Sequence, residues 1–330
     1  MMHRSRQSFA GSGVNDGGSP LLKLLMCCAF WFSLPLAAMA AEFEILVVPK
    51  AESTPYWQAV KRGAMAAGME RGAEVVFRGP LVQEDVDAQK AIIAEEMRDK
   101  PDAIVIAPAH TTRLADTLNE ARQQGALVLG IDSSMEGVRL TSFIATGNKE
   151  AGREAAIFLL GLTHGKGPVL LLRHSEDNGS TTDREQGFVE TMKAKFPDCE
   201  VNLSQFLGIS IGNAYHQTLA LLRQHPGTKA VFAPSESISI GCIQALRELH
   251  LEGKVRVVVF DQTPEIRQAL RDNVIDGFMI QQPYYMGYLG VTTACDALAG
   301  KPVPERIVTK VKIITDAGSL AFNRNPPAGR

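Results

Sequence analysis

The sequence has almost no excess of charge, since 34 Lys and Arg residues stand against 36 Asp and Glu residues, for a formal net charge of -2 over 330 residues. Without a basic patch of the kind that binds phosphate backbones, nucleic acid is not an expected partner. Aromatic residues make up only 6% of the chain, while hydrophobic residues make up 45%. This is the ordinary composition of a globular protein and excludes extended disorder.

Cysteine is scarce and is not arranged for disulfides or metal. Cys27 and Cys28 lie in an apolar N-terminal segment, and the other three, Cys199, Cys242 and Cys295, are widely spaced. There is no CxxC pair, no ligand-spaced pair of histidines and no Asp-x-Asx-x-Asx-Gly calcium loop. We therefore predict three buried free thiols, no metal site and no cofactor.

The first 40 residues have the pattern of a secretory signal peptide. Basic residues up to Lys23 precede an uncharged stretch, Leu24–Ala41, which contains the small-x-small tripeptide Ala38-Met39-Ala40. This pattern predicts export and cleavage after Ala40. The alternative is a membrane anchor, which is disfavoured because Pro35 interrupts a run that is marginally short for a bilayer.

Short apolar runs rich in β-forming residues alternate with helical stretches along the rest of the chain. The runs begin about 25–30 residues apart, the size of a βαβ unit, and several are apolar throughout, as in parallel strands covered on both faces. The predicted strands are Glu44–Val48, Val75–Phe77, Ala103–Ile106 and Leu127–Ile131, and then Val169–Leu172, Val201–Leu203, Ala230–Ala233, Val255–Phe260 and Gly277–Ile280. The sequence predicts two doubly wound α/β lobes in tandem.

Polar and aromatic residues follow several of these strands at the point where each strand ends. Singly, each could be a helix cap or a turn residue. Ligands of doubly wound sheets, however, bind beyond the carboxyl ends of the strands, so the shared position predicts a binding site. The residues in these positions are Lys50, Thr54, Tyr56, Trp57, Asp132, Ser235, Asp261 and Gln281.

Six short stretches together carry a family resemblance. They are Thr54–Val60, Gly130–Asp132, Ala151–Arg153, Thr182–Phe188, Phe260–Pro264 and Gln281–Pro283. In order and spacing they resemble periplasmic sugar-binding proteins of the ribose-binding type, over nearly all of the mature chain. The resemblance implies the type I periplasmic binding protein fold, with two lobes joined by three hinge crossings. The N-terminal lobe would take residues 41–146 and 282–310, and the C-terminal lobe residues 147–281 and 311–330.

The resemblance also implies a function without catalysis. The protein would be a periplasmic monomer that closes over a sugar or polyol and delivers it to the permease of an inner-membrane ABC transporter. A sensory subunit that presents its ligand to a chemoreceptor or histidine kinase stays open as the alternative. The ligand-binding residues that the resemblance implies are Tyr56, Trp57, Asp132, Arg184, Phe206, Asp261 and Gln281. Aromatic faces suit the C–H face of a pyranose, and the polar groups suit its hydroxyls.

Three positions depart from the family pattern. Thr54, Ser133 and Ser235 stand where the family often has asparagine, arginine, and asparagine or aspartate, respectively. Lys50 adds a cation close to the end of the first strand. We therefore expect a ligand other than ribose, such as a bulkier or modified sugar, a polyol such as inositol, or a ligand with an acidic group.

Enzyme motifs are either absent or incomplete. No GxGxxG follows the first strand. The stretch from Gly208 to Gly212 matches the G-x-S-x-G pattern around Ser210, but a hydrolase of that type needs an acid and then a histidine downstream. Only two glutamates stand between Ser210 and the last histidine, His250, a compressed order that disfavours a hydrolase. We expect this stretch to cap the helix that follows it.

Overall fold

The computed structural model of the chain describes residues 42–83 and 85–316. The predicted signal peptide and its cleavage site after Ala40 lie outside the described residues, as does the predicted last segment of the C-terminal lobe beyond residue 316. Within the described ranges, no helix is long and apolar enough to cross a membrane.

The first of two sheets is built almost entirely from the first half of the chain. Its strands are β1 (Glu44–Val48), β2 (Glu74–Phe77), β3 (Ala103–Ile106), β4 (Leu127–Ile131), β5 (Phe143–Thr146) and, from near the end of the described residues, β11 (Arg306–Thr309). They lie in the order β11-β5-β4-β3-β1-β2, and every neighbouring pair is parallel.

The second sheet has the same arrangement, except that one edge strand is antiparallel to its neighbour. Its strands are β6 (Val169–Arg173), β7 (Val201–Phe206), β8 (Ala230–Ala233), β9 (Arg256–Phe260), β10 (Gly277–Ile280) and β12 (Lys312–Ile314). The order is β12-β10-β9-β8-β6-β7, in which β12 alone runs antiparallel to its neighbour.

Nine helices connect these strands within the described residues. They are α1 (Pro55–Arg71), α2 (Val86–Glu96), α3 (Ala115–Gln123), α4 (Asn148–Thr163), α5 (Gly179–Lys195), α6 (Ile211–Gln224), α7 (Glu236–Glu248), α8 (Pro264–Arg271) and α9 (Pro283–Leu298). Three pairs pack closely: α1 with α9, α4 with α5, and α6 with α7. We call the first sheet with α1, α2, α3 and α9 the first lobe, and the second sheet with α4 to α8 the second lobe.

Both faces of each sheet are buried, which explains the continuously apolar strands. In β1, Ile45 and Val47 belong to one core cluster, whereas Leu46 and Val48 belong to another on the opposite face. Alternate residues of a strand point to opposite faces, so a strand covered by helices on both sides has no polar positions. The second sheet is covered in the same way by two further clusters.

The chain passes between the sheets three times, at residues 146–148, 280–283 and 309–312. The predicted fold class, two doubly wound parallel-sheet lobes joined by three crossings, is confirmed. The prediction that Cys199, Cys242 and Cys295 are buried free thiols is also confirmed. Burial raises the pKa of Cys242 to about 12, so this thiol stays protonated.

Candidate functional site between the lobes

The carboxyl ends of the strands of both sheets surround one cavity. Nine residues predicted from the sequence line it: Lys50, Thr54, Tyr56, Trp57, Asp132, Arg184, Ser235, Asp261 and Gln281. Seven lining residues were not predicted: Gln83, His174, Asn178, Ser180, Thr181, Glu236 and Ser237.

The start of α1 places two aromatic rings at the cavity wall. Thr54 caps the helix, because its hydroxyl accepts a hydrogen bond from the Trp57 N–H at 3.4 Å, and Pro55 occupies the first helical position. The Tyr56 and Trp57 rings meet edge to face, with centroids 4.8 Å apart. Trp57 is only 3% exposed and also packs in the core of the first lobe. The Trp57 ring therefore contacts both the core of the first lobe and the cavity.

Asp132 organises the polar wall of the first lobe. Its carboxylate accepts a hydrogen bond from the Tyr56 hydroxyl at 2.8 Å, and the Ser133 hydroxyl oxygen lies 3.0 Å from it. The Lys50 ammonium lies 3.2 Å from the carboxylate and donates to the Ser133 hydroxyl at 2.6 Å. Burial, and then the charge of Asp132, raise the pKa of Tyr56 well above its usual value, so the phenol remains a donor.

Arg184 provides the fixed cation of the second lobe. Its Nε donates to the Asn148 side chain and its NH1 to the Pro234 carbonyl, both at 2.8 Å. The guanidinium carbon lies 3.7 Å from the centroid of the Phe260 ring, a stacked cation–π arrangement. Burial lowers the pKa of Arg184, but an arginine remains charged in proteins. The two hydrogen bonds and the stacking on the Phe260 ring fix the orientation of the remaining N–H donors of Arg184.

Asp261 is the counterpart of Asp132 in the second lobe. It follows β9 and accepts a hydrogen bond from the Gln281 amide at 2.6 Å. Burial raises its pKa, while Arg184, the Gln281 amide and the backbone N–H of Glu236 act in the opposite direction. Glu236 opens α7 beside it, and burial together with Asp261 raises the pKa of Glu236 to about 7. The second lobe thus contributes two carboxylates with different surroundings.

The unpredicted residues come mainly from β6 and the start of α5. His174 directly follows β6, and its Nδ1 lies 2.9 Å from the Ser235 hydroxyl. His174, like Asp132 and Asp261, comes directly after a strand. The rule that predicted those two residues could therefore have predicted His174. The Asn178 side chain caps α5 by accepting from the Thr181 N–H at 3.3 Å, and it accepts from the Ser180 hydroxyl at 2.9 Å. Asn178 lies five residues beyond the end of β6, at the far end of the same loop, so the position of the strand end did not mark it as clearly.

Two residues predicted for the site do not line the cavity. Ser133 supports it from behind through Lys50 and Asp132, as described above. Phe206 ends β7, the edge strand of the second sheet, where the Arg173 guanidinium covers its ring at 3.8 Å from the centroid. Ser210, the centre of the hydrolase-like motif, caps α6 by accepting from the Asn213 N–H at 3.3 Å. It does not line the cavity either.

The lobes are in contact across the cavity, so the structure shows a closed arrangement. The Ser133 hydroxyl of the first lobe donates to the Ser180 hydroxyl of the second at 3.1 Å. His110 Nε2 and Asp177 Oδ1, also on opposite lobes, lie 3.5 Å apart. Across the described part of the chain, no group of three or more His, Cys, Asp or Glu side chains is placed to hold a metal ion.

Two parallel-sheet lobes that close over a polar cavity define a class, the two-lobed solute-binding proteins. A family model described as a periplasmic binding protein domain matches residues 45–302. Since the match covers well over half of the chain, the chain belongs to this family.

Individual relatives agree with the ribose-type resemblance, which is confirmed. The ribose import binding protein of Bacillus subtilis is 24% identical over 89% of this chain and 95% of its own. The D-ribose/D-allose-binding protein of Pseudomonas aeruginosa is 27% identical over 88% of this chain and 95% of its own. The crystal structure of a periplasmic component of an ABC-type sugar transport system from Hahella chejuensis has a TM-score of 0.79 at 32% identity, covering 83% of this chain and 100% of its own.

A solute-binding protein of Agrobacterium vitis with bound alpha-D-tagatopyranose has a TM-score of 0.80 at 28% identity. It covers 86% of this chain and 97% of its own.

Proposed function

We propose that this protein captures a sugar or polyol in the cavity between its lobes and delivers it to the permease of an ABC transporter. The observation that carries the proposal is the composition of the cavity wall. Each lobe contributes a carboxylate from the end of a strand, Asp132 or Asp261, and a fixed cation, Lys50 or Arg184. Together with the Tyr56 and Trp57 rings, these groups suit a ligand that has several hydroxyls and an apolar face.

The proposed ligand site comprises the nine predicted lining residues, with Ser133 as a support and the seven additional residues. Four charged groups of this wall already have partners, since Lys50 pairs with Asp132, Arg184 donates to Asn148 and Asp261 accepts from Gln281. These groups are therefore oriented before a ligand arrives. Pre-oriented donors and acceptors lose little side-chain freedom on binding. They also discriminate against ligands that leave a buried polar group unpaired, which costs about 1–3 kcal/mol per group.

Import is favoured over signalling because the relatives described above are named for import, transport or sugar binding. None of those relatives is named as a sensor. Export to the periplasm with cleavage after Ala40, and a monomeric state, complete the proposal. The lobe division at residues 146, 281 and 310 is supported by the membership of β5, β10 and β11 in their sheets.

A screen of sugars and polyols tests the proposed function. We expect at least one of them to raise the melting temperature of the mature protein, since a ligand that binds only the folded state stabilises it. Isothermal titration calorimetry on each hit should give saturable binding at one site. If no sugar or polyol, amine-bearing ones included, shifts the melting temperature, the proposed function is wrong. Intact mass of the exported protein tests for an N-terminus at Ala41.

A further inference from the structure

Glu236 differs from the other charged side chains of the cavity wall. Lys50 and Asp132 pair with each other, Arg184 donates to Asn148, and Asp261 accepts from Gln281. The Glu236 carboxylate lines the cavity at the first position of α7, and no hydrogen bond or ion pair joins it to another side chain of the described residues. It is a charged group whose partner is missing.

The charges around Glu236 do not supply that partner. Among the described side chains that line the cavity, the only Lys and Arg residues are Lys50, which pairs with Asp132, and Arg184, which donates to Asn148 and Pro234. The groups that face the cavity from the neighbouring elements are Lys50 after β1, Asp132 after β4, Tyr56 on α1, His174 after β6, Arg184 on α5 and Asp261 after β9. The nearby Asp261 charge, together with burial, raises the pKa of Glu236 to about 7.

A second cavity adjoins the first at Glu236. It shares Tyr56, Glu236, Asp261 and Gln281 with the main cavity. Of the residues that the structure describes, Glu236 and Asp261 are the only charged ones that line it, and no described Lys, Arg or His does so. Both cations of the main cavity, Lys50 and Arg184, are absent from this second lining. A ligand substituent that extends from the junction into the second cavity therefore lies beside two carboxylates and on the side away from the lining that contains Lys50 and Arg184.

Burying an ionised carboxylate under a closed lobe without a partner is costly. A neutral ligand would leave Glu236 either uncompensated or protonated, and an acidic ligand would add a third negative charge at the junction. A cationic substituent removes the penalty, because it forms charge-assisted hydrogen bonds with carboxylates.

We propose that the ligand carries a protonated amino group that lies between Glu236 and Asp261, so that the site prefers an amino sugar or amino polyol to the hydroxyl parent. This inference rests on the proposed function and narrows its substrate class. Glu236 acts as the specificity residue, and the remaining wall binds the hydroxyls that the amino compound and its parent share.

Calorimetry at about pH 7 with matched ligands tests the inference. Each set contains an amino sugar, its hydroxyl parent and its N-acetyl derivative, for glucosamine, galactosamine and mannosamine. The N-acetyl derivative retains the nitrogen but carries no charge. We expect at least one amino sugar to bind about tenfold or more tightly than both neutral members of its set, the scale of a charged hydrogen bond.

Two variants identify the residue responsible. Glu236→Gln should reduce the affinity for the amino sugar about tenfold more than it reduces the affinity for the hydroxyl parent. Glu248→Gln removes the same charge at the exposed far end of α7 and should change neither. Thermal melts verify that both variants fold.

The possible failures are distinguishable. Hydroxyl parents that bind as tightly as the amino sugars, or a Glu236→Gln variant that retains the preference for the amine, overturn the inference and leave the proposed function intact. If no amino sugar binds while a neutral sugar or polyol of the screen does, the inference is overturned, whereas absence of binding by every compound of the screen and of the sets counts against the proposed function itself.

Discussion

At the scale of residues, Asp132 and Asp261 occupy equivalent positions in the two lobes. Each follows a strand in the interior of its sheet, and each has a positive φ, 66° and 72° respectively. The backbone N–H of Asp132 donates to Ile144 at 3.0 Å, and that of Asp261 donates to Met279 at 2.9 Å. A positive φ is uncommon outside glycine and is tolerated best by Asp and Asn. The strand neighbours therefore hold both carboxylates at the cavity in a conformation that few residues adopt without cost.

Replacing Asp261 by Asn tests its role in binding, since Asn tolerates the same backbone conformation. We expect the ligand found in the screen to bind about 1.5–3 kcal/mol more weakly, the range for hydrogen bonds to a charged group. Calorimetry measures this loss, and a melt without ligand should show little change in stability. Asp272→Asn is the control, because Asp272 pairs with Arg247 on the surface and should not affect binding. Unchanged affinity in Asp261→Asn would place the site elsewhere.

Glu236 should leave a signature in the pH dependence of stability. Its pKa in the folded protein is about 7 instead of the usual 4.5, so the folded state retains a proton that the unfolded chain has released. The contribution of Glu236 to the free energy of unfolding therefore falls as the pH rises from 4.5 through about 7. Glu236→Gln should be more stable than wild type at about pH 8, and this advantage should vanish near about pH 4.5.

Denaturant titrations without ligand, repeated at several pH values, measure this difference. Glu248→Gln is the matched control because its carboxylate is exposed. A stability difference between Glu236→Gln and wild type that does not vary with pH would contradict the assignment.

Trp57 provides an optical probe of the cavity. The sequence contains two tryptophans, Trp31 and Trp57, and cleavage after Ala40 would leave only Trp57. Because Trp57 lines the cavity, we expect a saturable change of its fluorescence on ligand binding, and Trp57→Phe should abolish the signal. Phe is preferable to Ala because Trp57 also packs in the core, where truncation would cost about 3–5 kcal/mol. A confirmed ligand that leaves the emission unchanged would show that the indole does not face it.

Much of the site was predictable because of one simple rule of topology. Asp132, Ser235, Asp261 and Gln281 all follow parallel strands, and such strand ends meet at one edge of a sheet. The Ser133–Ser180 bond was not predictable, since it depends on how far the lobes close. Phe206 shows the opposite failure. Its strand is at the edge of the sheet, so the ring contacts Arg173 instead of the cavity.

At the scale of elements, close helix crossings position the side chains of the site. Where α4 meets α5, a Cβ on Gly152 would lie 1.9 Å from the Arg184 carbonyl oxygen, and one on Gly187 would lie 2.0 Å from the Lys149 carbonyl oxygen. Gly63 and Gly287 make the equivalent crossing between α1 and α9. Without side chains at these positions, the backbones approach closely enough to fix Arg184 relative to Asn148.

Gly152→Ala tests this crossing. The added methyl group would force α5 away from α4, so we expect a loss of about 1–3 kcal/mol in stability and weaker ligand binding through displaced Arg184. Gly161→Ala on the same helix is the control, because nothing lies within 4 Å of its Cβ position. It should be neutral or stabilising by up to about 1 kcal/mol. Equal effects of the two substitutions, measured by denaturation and calorimetry, would contradict the proposed role of the crossing.

Strand predictions agreed with the structure for most strands that are buried on both faces, and they missed one buried interior strand, β5, and two edge strands. The bounds of β1, β3, β4, β8 and β10 agree with the predicted runs. The predicted set did not include β5, β11 or β12. β11 alternates exposed and partly buried residues, and β12 has only three residues. Both join their sheets from a distant part of the chain, so their pairing depends on the hinge crossings and not on local sequence pattern.

At the scale of the whole molecule, closure depends on a tight contact at the start of α5. A Cβ on Gly179 would lie 2.4 Å from the Ser134 hydroxyl and 3.2 Å from its carbonyl oxygen, across the gap between the lobes. The same region contributes the Ser133–Ser180 hydrogen bond. The lobes can therefore meet here because the second lobe presents no side chain at residue 179.

Gly179→Leu should hold the lobes apart. The side chain would meet Ser134 before Asp132 and Asp261 could approach the same ligand, so we expect binding to weaken by at least about tenfold, as when one charged hydrogen bond is lost. Stability without ligand should not fall, because the open form has room for the side chain and Leu has a higher helix propensity than Gly. Small-angle X-ray scattering should show a ligand-dependent decrease in the radius of gyration for wild type and none for Gly179→Leu. Gly212→Leu is the matched control, since it lies in the first turn of α6 and its Cβ position has only the Ser210 hydroxyl nearby, at 3.8 Å. If Gly179→Leu still compacts and binds as wild type does, the lobes close by a different path, and Gly179 does not limit their approach.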